Sequence, residues 1–222
     1  MNMPAVAITD IGNLMGAFHF IKAVNKHNKS HEESAGNPIK PIIGITLNVC
    51  ANHLDRSHRD DGFQIVLIAK NKNGYHNLAK LTSIAHTKGF YYVPRVDREL
   101  VLNHKKDIIV LTGNLYGEVP YKVLNTGAQQ AEDSLLWWKE HFGSDLYIEL
   151  MRHNQEDETR VNTSLIELAN KHGIKMIASN SCYYLKKEEA NAHDILLCIK
   201  DGEKQSTPIG RGRGYRYGLP NQ

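Results

Sequence analysis

Several features that would assign the chain to a class of protein are missing. The three cysteines, Cys50, Cys182 and Cys198, are odd in number and far apart, which suggests a reducing compartment and gives no zinc-like spacing. No apolar run approaches membrane-spanning length. The N-terminus, MNMPAVAITD, lacks the basic start and apolar core of a signal peptide. We therefore expect a cytoplasmic protein with no membrane association.

Nucleotide-binding motifs and a strong charge imbalance are also absent from the sequence. It contains neither GxGxxG nor GxxxxGK[ST], so neither common nucleotide site is indicated. The net charge is +3 with 12 histidines counted as neutral, which permits a nucleic-acid partner without indicating one. The 222 residues, 41% apolar and 23% charged, suit a single soluble domain of α/β barrel size or slightly less.

Short apolar runs alternate with helical patterns along the chain. The runs that predict strands lie at 6–8, 40–47, 63–69, 107–112, 146–150 and 175–178. The patterns that predict helices lie at 14–24, 73–89, 97–104, 116–124, 128–142, 156–171 and 186–200. Alternating strands and helices predict a parallel sheet covered by helices, either an open doubly wound sheet or a barrel.

Two pairs of adjacent residues are constrained because neighbours on a helix point about 100° apart. Trp137 and Trp138 cannot both face inward fully, so one of them should lie at an edge or an interface. For the same reason His193 and Asp194 are interpreted as structural residues rather than as a catalytic pair.

Seven segments resemble the polymerase and histidinol phosphatase (PHP) domain, in the version found at the N-terminus of bacterial DNA polymerase III alpha subunits. In chain order they read AITDIGNLMGAFHF, KPIIGI, IVLIAKNKNGYHNLAKLTSIA, GFYYVPRVD, LTGNLYGEVP, LYIELMRHNQ and ANAHDILLCIKDGEK. The resemblance implies a distorted seven-stranded β/α barrel, of which six strands are predicted here. It assigns 1–205 to the PHP domain and 206–222 to a connector toward a polymerase core.

The same resemblance implies that both ends of the chain are cut. The family's first strand, with its HxHxxxS motif, would precede this chain, and the polymerase palm, thumb and fingers would follow it. A barrel that lacks one strand exposes two sheet edges, so we expect this chain to be poorly soluble.

Family members can hold a Zn²⁺ or Mn²⁺ cluster that hydrolyses phosphate esters, whereas Mg²⁺ belongs to the polymerase core. The ligand positions that fall within this chain are occupied by Asp10, Ile11, Thr46, Gln64, Asn114, Ser181 and Tyr183. At the last six of these the family has histidine, glutamate, histidine, cysteine, aspartate and histidine. The family's GCE segment corresponds here to Gly44, Ile45 and Thr46, so its glutamate carboxylate is missing.

Only Asp10 keeps a ligand type at these positions. Isoleucine offers no lone pair, and neutral Thr, Gln and Asn are poor donors for such a cluster. The resemblance therefore implies a degenerate metal site, with no catalytic residue and no cofactor in this chain. Asp10 is interpreted as a cap of the first helix, and a lone weak metal contact is the alternative.

Four arginines and one glutamate are further candidates for the site. We expect Glu149 and Arg152 to form an ion pair that holds the emptied pocket together, with phosphate binding by Arg152 as the alternative. Near the end of the chain, Arg211, Arg213 and Arg216 alternate with Gly and Tyr. This composition suits nucleic-acid backbone contacts with tyrosine stacking, and it suits a flexible connector equally well.

The functional hypothesis is a scaffolding domain of a bacterial replicative polymerase. The resemblance implies packing against the polymerase core of the same chain, access to DNA through that parent and docking of a proofreading exonuclease subunit. One alternative is a stand-alone metal-dependent phosphoesterase or 3'–5' exonuclease with rearranged ligands. The other is an interaction module with no polymerase attached.

Overall fold

The computed structural model describes residues 3–31, 37–153 and 155–207, and these ranges contain seven strands and seven α-helices. The strands are β1 (Ala5–Ile8), β2 (Lys40–Cys50), β3 (Phe63–Ala69), β4 (Arg95–Asp97), β5 (Ile108–Leu111), β6 (Leu146–Met151) and β7 (Lys175–Ser179). The helices are α1 (Ala17–His31), α2 (Lys72–Thr87), α3 (Arg98–Asn103), α4 (Glu118–Asn125), α5 (Ala128–Phe142), α6 (Glu156–His172) and α7 (Ala190–Asp201).

The strands form a curled, half-barrel sheet in the order β1-β2-β3-β5-β6-β7, and β4 pairs with the far end of β2. This architecture confirms the predicted α/β barrel class. The sheet is nevertheless mixed, because β3 runs antiparallel to both β2 and β5. The expected all-parallel sheet is wrong at this strand, since residues 51–62 join β2 to β3 as a loop without a crossover helix.

All six predicted strands are present, and β4 is an additional strand that the sequence pattern did not indicate. β4 has only three residues and pairs in parallel with Asn48 to Cys50 of β2. It begins with Arg95, a residue type that normally lies at the surface, so no apolar run marks this strand.

Arg95 is fully buried, with 0% of its surface exposed. Its guanidinium donates hydrogen bonds to backbone carbonyls of the 51–62 loop, at 2.8 Å to Asp55, 2.9 Å to Asp60 and 3.5 Å to His53. Its Nε donates to the carbonyl of Gly89, after α2, at 3.1 Å. One side chain therefore fastens the loop and the end of α2 to β4, and the carbonyl oxygens solvate its charge.

The helices cover the sheet through apolar faces. On α2 the buried face is Leu78, Leu81 and Ala85, each 0% exposed. Burying a leucine side chain contributes roughly 1.5–3 kcal/mol, so this face alone fixes the helix on the sheet. Trp138 is 3% exposed and lies in the core, whereas Trp137 is only partly buried and faces Arg98. The prediction that only one of the two tryptophans faces fully inward is confirmed.

Within the described ranges, the helices are too short or too polar to cross a bilayer. The predicted connector at 206–222 lies, from residue 208 onward, outside the described residues.

Candidate functional site

The first three ligand positions lie together where the chain leaves β1 and runs on beside β2. Ile11 forms a parallel bridge with Thr46. The Thr46 amide donates to the Asp10 carbonyl at 2.9 Å, and the Thr46 hydroxyl donates to the Thr9 carbonyl at 3.0 Å. Thr46 is therefore committed to closing this turn, while Ile11 is 53% exposed.

The capping role predicted for Asp10 is not observed. The first helix begins only at Ala17, and no amide of that helix donates to the Asp10 carboxylate among the described residues. The carboxylate lies against Gly16 instead, where an added Cβ would come within 2.6 Å of Oδ2. Before the helix, Asn13 accepts a hydrogen bond from the Met15 amide at 2.9 Å, so an asparagine organises the approach to α1.

Gln64 and Asn114 form a second group at the start of β3 and the end of β5. The Gln64 amide donates to the Tyr116 carbonyl at 2.9 Å, and the Asn114 side chain accepts from the Tyr116 amide at 2.9 Å. Gly113 has a φ of +82°, and an added Cβ would lie 2.8 Å from the Gln64 carbonyl oxygen. The turn after β5 thus passes close to β3, and the Asn114 side chain stabilises that turn.

Glu118 stands beside this second group and was not singled out from the sequence. It lines a small cavity of about 10 Å³ together with Gln64. Its carboxylate accepts hydrogen bonds from Arg98 at 2.7 and 2.8 Å, from Lys122 at 2.8 Å and from the Trp138 indole at 3.2 Å. Burial alone would raise the Glu118 pKa, but the bonds from Lys122 and Arg98 outweigh it and lower the pKa. This carboxylate is a charged structural centre rather than a free ligand.

Ser181 and Tyr183, the last two ligand positions, lie just after β7 and contact different parts of the domain. The Ser181 amide donates to His153 Nε2 at 3.3 Å. Tyr183 is 56% exposed, and its ring stacks on that of His193 of α7 with the centroids 5.1 Å apart. This stacking gives His193 a packing role, in agreement with its structural interpretation.

The ion pair predicted between Glu149 and Arg152 is wrong. Glu149 is 5% exposed and accepts a hydrogen bond from the Ser179 hydroxyl at 2.5 Å, while Arg152 is exposed. The second carboxylate oxygen of Glu149, Oε2, is buried and has no hydrogen-bond partner among the residues that the structure describes. Burial raises the Glu149 pKa, and the bond from Ser179 offsets only part of that rise. β6 turns Glu149 inward because the side chains of a strand alternate between its two faces.

The close pair observed at this end of β6 joins His153 to Glu158, which lies in the first turn of α6. The distance from His153 Nδ1 to Glu158 Oε1 is 2.6 Å, and the His153 amide donates to Glu158 Oε2 at 2.5 Å. Because Nε2 accepts from Ser181, this hydrogen-bond pattern assigns the ring proton to Nδ1. Acidic residues are common in the first turn of a helix because they interact favourably with the helix dipole. The sequence therefore did not mark Glu158 as the partner of a buried histidine.

At the candidate site as a whole, polar side chains at the strand ends form hydrogen bonds with one another and with the backbone of the domain. Among residues 3–31, 37–153 and 155–207, no group of three or more His, Cys, Asp or Glu side chains could hold a metal ion. Asp10 follows β1, whereas Glu149 lies on β6 and the His153–Glu158 pair joins the segment after β6 to α6. Arg211, Arg213 and Arg216 lie outside the described residues.

Comparison with known families identifies the family of this fold. The family model described as "PHP domain" matches residues 1–153. The chain belongs to the PHP domain family. Similar curated proteins include those named DNA polymerase III subunit alpha from Borreliella burgdorferi, 37% identical over 209 residues, and from Deinococcus radiodurans, 37% identical over 204 residues.

These relatives are much longer than this chain. The Borreliella burgdorferi alignment covers 92% of this chain and 17% of the relative, and the Deinococcus radiodurans alignment covers 89% and 14%. The protein of the same name from Chlamydia trachomatis is 32% identical over 244 residues, which cover 99% of this chain and 18% of the relative. The chain therefore spans less than a fifth of the length of these relatives.

Proposed function

We propose that this chain is the PHP domain of a bacterial replicative DNA polymerase and that it serves as a scaffold without phosphoesterase activity. The polymerase parent is supported by the name shared by the relatives, DNA polymerase III subunit alpha. In this proposal residues 1–205 form the domain and 206–222 lead to the polymerase core. That core, and not this chain, carries DNA-directed nucleotidyl transfer with Mg²⁺ and contacts DNA.

One observation carries the proposal of a degenerate metal site. The side chains that replace family ligands take structural hydrogen bonds: Thr46 closes the turn after β1, and Asn114 closes the turn after β5. A histidine or carboxylate in a metal cluster would instead need its lone pairs free for the ion. The side chains at Ile11 and Thr46, a hydrocarbon and a neutral hydroxyl, supply no charge to hold Zn²⁺ beside Asp10.

Elemental analysis of the purified 222-residue chain after gel filtration tests the loss of metal. We expect less than about a tenth of an equivalent of Zn or Mn per chain, because only Asp10 keeps a ligand type. Two to three equivalents, on the order of a complete family cluster, would contradict the proposal and would call for assays of phosphate-ester and DNA-end hydrolysis.

A variant with restored ligands provides the positive control for this measurement. Ile11→His together with Thr46→Glu places two ligand types beside Asp10, at positions whose backbones are already bridged. We expect the bound Zn to rise toward about one equivalent, since three protein ligands suffice for an open zinc site.

Scaffolding also requires a surface for other domains, and α7 with the segment before it supplies an apolar one. Leu185 is 84% exposed, Leu196 64% and Ile199 72%. Exposed apolar side chains in one region are typical of interaction sites. We propose that this region packs against the polymerase core or a proofreading exonuclease subunit.

Calorimetric titration of the chain with the exonuclease subunit of the same organism tests the docking role. If α7 is the docking surface, Leu196→Glu with Ile199→Glu should weaken binding by at least about tenfold, because each buries a charge against an apolar partner. The control is Ile166→Glu on α6, 39% exposed, which should leave the affinity unchanged. Absence of binding by the unaltered chain would contradict docking of this subunit.

A further inference from the structure

A polar groove of about 750 Å³ lies on the outer surface of the domain, between α2 and the segment that joins α3 to β5. One wall consists of residues 73–84 on α2, and the other includes His104 and Lys106. None of the seven ligand positions lines this groove. It is therefore separate from the candidate site and does not depend on whether a metal binds there.

The charged side chains of this groove are all of one sign. Lys80 on α2 and Lys106 on the opposite wall line it, with His76 and His104, and no Asp or Glu is among its lining residues. The whole of α2 contains no acidic residue. Lys72, one turn before His76, extends the row, so that Lys72, His76 and Lys80 follow one another about 6 Å apart along the helix.

The lysines of the groove are not neutralised within the domain. Other lysines form salt bridges, such as Lys70 with Asp145 at 2.5 Å and Lys171 with Glu132 at 2.7 Å. In the part of the chain that the structure describes, neither Lys80 nor Lys106 has a carboxylate within salt-bridge distance. Like charges that line a concave surface reinforce one another and concentrate the field there, so the groove attracts anions.

The two walls are held at a fixed separation. The Asn77 side-chain amide on α2 donates to the Lys106 carbonyl across the groove at 2.9 Å. His104 donates from Nδ1 to the Leu100 carbonyl at 3.0 Å, which fixes its ring on α3. A groove that is already formed loses little conformational entropy when a ligand enters it.

The lining residues distinguish among possible polyanions. Ile84 is the only large apolar side chain among them, and no Phe, Tyr or Trp ring lines the groove. A bound peptide normally needs apolar anchor pockets, and a single nucleic-acid strand normally needs aromatic rings on which its bases stack. The backbone of a duplex needs only cations and hydrogen-bond donors, which Lys80, Lys106 and Asn73 provide.

We propose that the groove between α2 and the α3–β5 segment binds the phosphate backbone of a duplex nucleic acid without reading its sequence. Two lysines from opposite walls, supported by Lys72, would contact phosphates and displace counterions. For about three such contacts, the logarithm of the association constant should fall with the logarithm of salt concentration with a slope of about −2.7.

Fluorescence anisotropy with a labelled DNA duplex of about 20 base pairs, over about 50 to 200 mM salt, tests this proposal. Three forms of the 222-residue chain are compared: the unaltered chain, Lys80→Glu with Lys106→Glu, and Lys22→Glu with Lys26→Glu. The last pair are exposed lysines of α1 and change the net charge equally. All three proteins keep Arg211, Arg213 and Arg216, so the end of the chain contributes equally.

We expect the groove variant to bind at least about tenfold more weakly than the α1 variant and its salt slope to be smaller by about two. Thermal melting monitored by circular dichroism establishes that both variants are folded. Equal losses in the two variants, or no binding by the unaltered chain, would overturn the proposal. Displacement of the duplex by polyglutamate of equal charge, as readily as by unlabelled duplex, would assign the groove to an acidic polypeptide instead.

Discussion

At the scale of single residues, the buried carboxyl group of Glu149 has one hydrogen-bonding neighbour in the described part of the chain, the Ser179 hydroxyl. Burial raises its pKa in the folded state, so the folded chain keeps this proton over a pH range in which the unfolded chain has lost it. The stability contributed by this protonated group is complete below the unfolded-state pKa and is lost as pH rises through the folded-state pKa.

We therefore predict that Glu149→Gln reduces the loss of stability as pH rises above the ordinary range of a glutamic acid pKa, because glutamine cannot ionise. Urea denaturation at a series of pH values measures the free energy of unfolding of both proteins. Glu167→Gln, at an exposed position of α6, is the matched control and should follow the unaltered chain. Identical pH dependence in all three proteins would show that Glu149 does not carry this titration.

Arg95 supports the second prediction at this scale. Arg95→Met keeps most of the side-chain volume but leaves four carbonyl acceptors without their donor, one in a buried and three in partly buried hydrogen bonds. We expect it to lower the free energy of unfolding by about 3 kcal/mol or more, since unmade buried hydrogen bonds cost about 1–3 kcal/mol each and their costs are partly shared.

Chemical denaturation measures this change, and Arg59→Met provides the comparison. Arg59 pairs with Asp61 on the surface at 2.7 Å and its side chain is 62% exposed. A surface pair of this kind contributes about 0–1 kcal/mol. Comparable effects of the two substitutions would mean that the carbonyl contacts of Arg95 contribute little.

Residue identity predicted some of these positions and not others. The helix predicted at 97–104 starts at an aspartate, a residue type common at helix N-termini, and the Asp97 side chain does accept from the Leu100 amide at 2.9 Å. That contact lies within one turn of chain. Arg95 bonds residues 35 to 42 positions away, and Glu149 meets Ser179 across two strands, so only the folded chain reveals either arrangement.

At the scale of elements, α2 depends on the residue that precedes it. Asn71 accepts hydrogen bonds from the amides of Asn73 at 2.9 Å and Gly74 at 3.1 Å. These amides would otherwise lack partners at the helix N-terminus. We predict that Asn71→Ala lowers the free energy of unfolding by about 1 kcal/mol.

The midpoint of urea denaturation measures this loss. Asn73→Ala changes the same residue type in the same turn but removes no capping bond, and it should cost less than about 0.5 kcal/mol. If the two substitutions cost the same, the Asn71 cap does not stabilise α2.

The six apolar strands could be predicted because each is a run of at least three apolar residues bounded by polar segments. Periodicity could not reveal the direction of β3. Its run FQIVLIA is as apolar as that of a parallel strand, and only the helix-free connection at 51–62 distinguishes the two cases. β4 is shorter than the window over which alternation can be recognised.

At the scale of the whole molecule, β1 and β7 are the two ends of the sheet among the described residues. β7 is exposed along most of its length, including Met176 at 43% and Ile177 at 38%. An apolar strand with a free edge can pair with another chain. We predict concentration-dependent self-association of the 222-residue chain, reduced by Ile177→Lys because a charged side chain on an edge strand opposes such pairing.

Sedimentation velocity at increasing protein concentration measures this association. Ile166→Lys on α6 is closely matched, since Ile166 is 39% exposed, and it should leave the association unchanged. A chain that stays monomeric and melts cooperatively at all concentrations would contradict the prediction.

The family resemblance assigned the candidate site to residues at strand ends but did not predict their contacts. Thr46 and Asn114 were assigned to lost ligands, and both occupy turns at strand ends. What now fills that end, the His153–Glu158 pair and the solitary Glu149, depends on how α6 packs on β6. The positions of the family's metal ligands do not specify how a helix packs on a strand, so they could not predict which residues meet there.

The bonds of Arg95 also govern how the loop at 51–62 moves. Three of its carbonyls are held by the same guanidinium, and the Ala51 amide is bonded to Asp60 at 2.9 Å. Releasing one of these carbonyls would leave the buried guanidinium short of an acceptor, so the loop amides should exchange with deuterium in the same opening event as those of β4. A segment without regular secondary structure would then be protected for as long as the strands beside it.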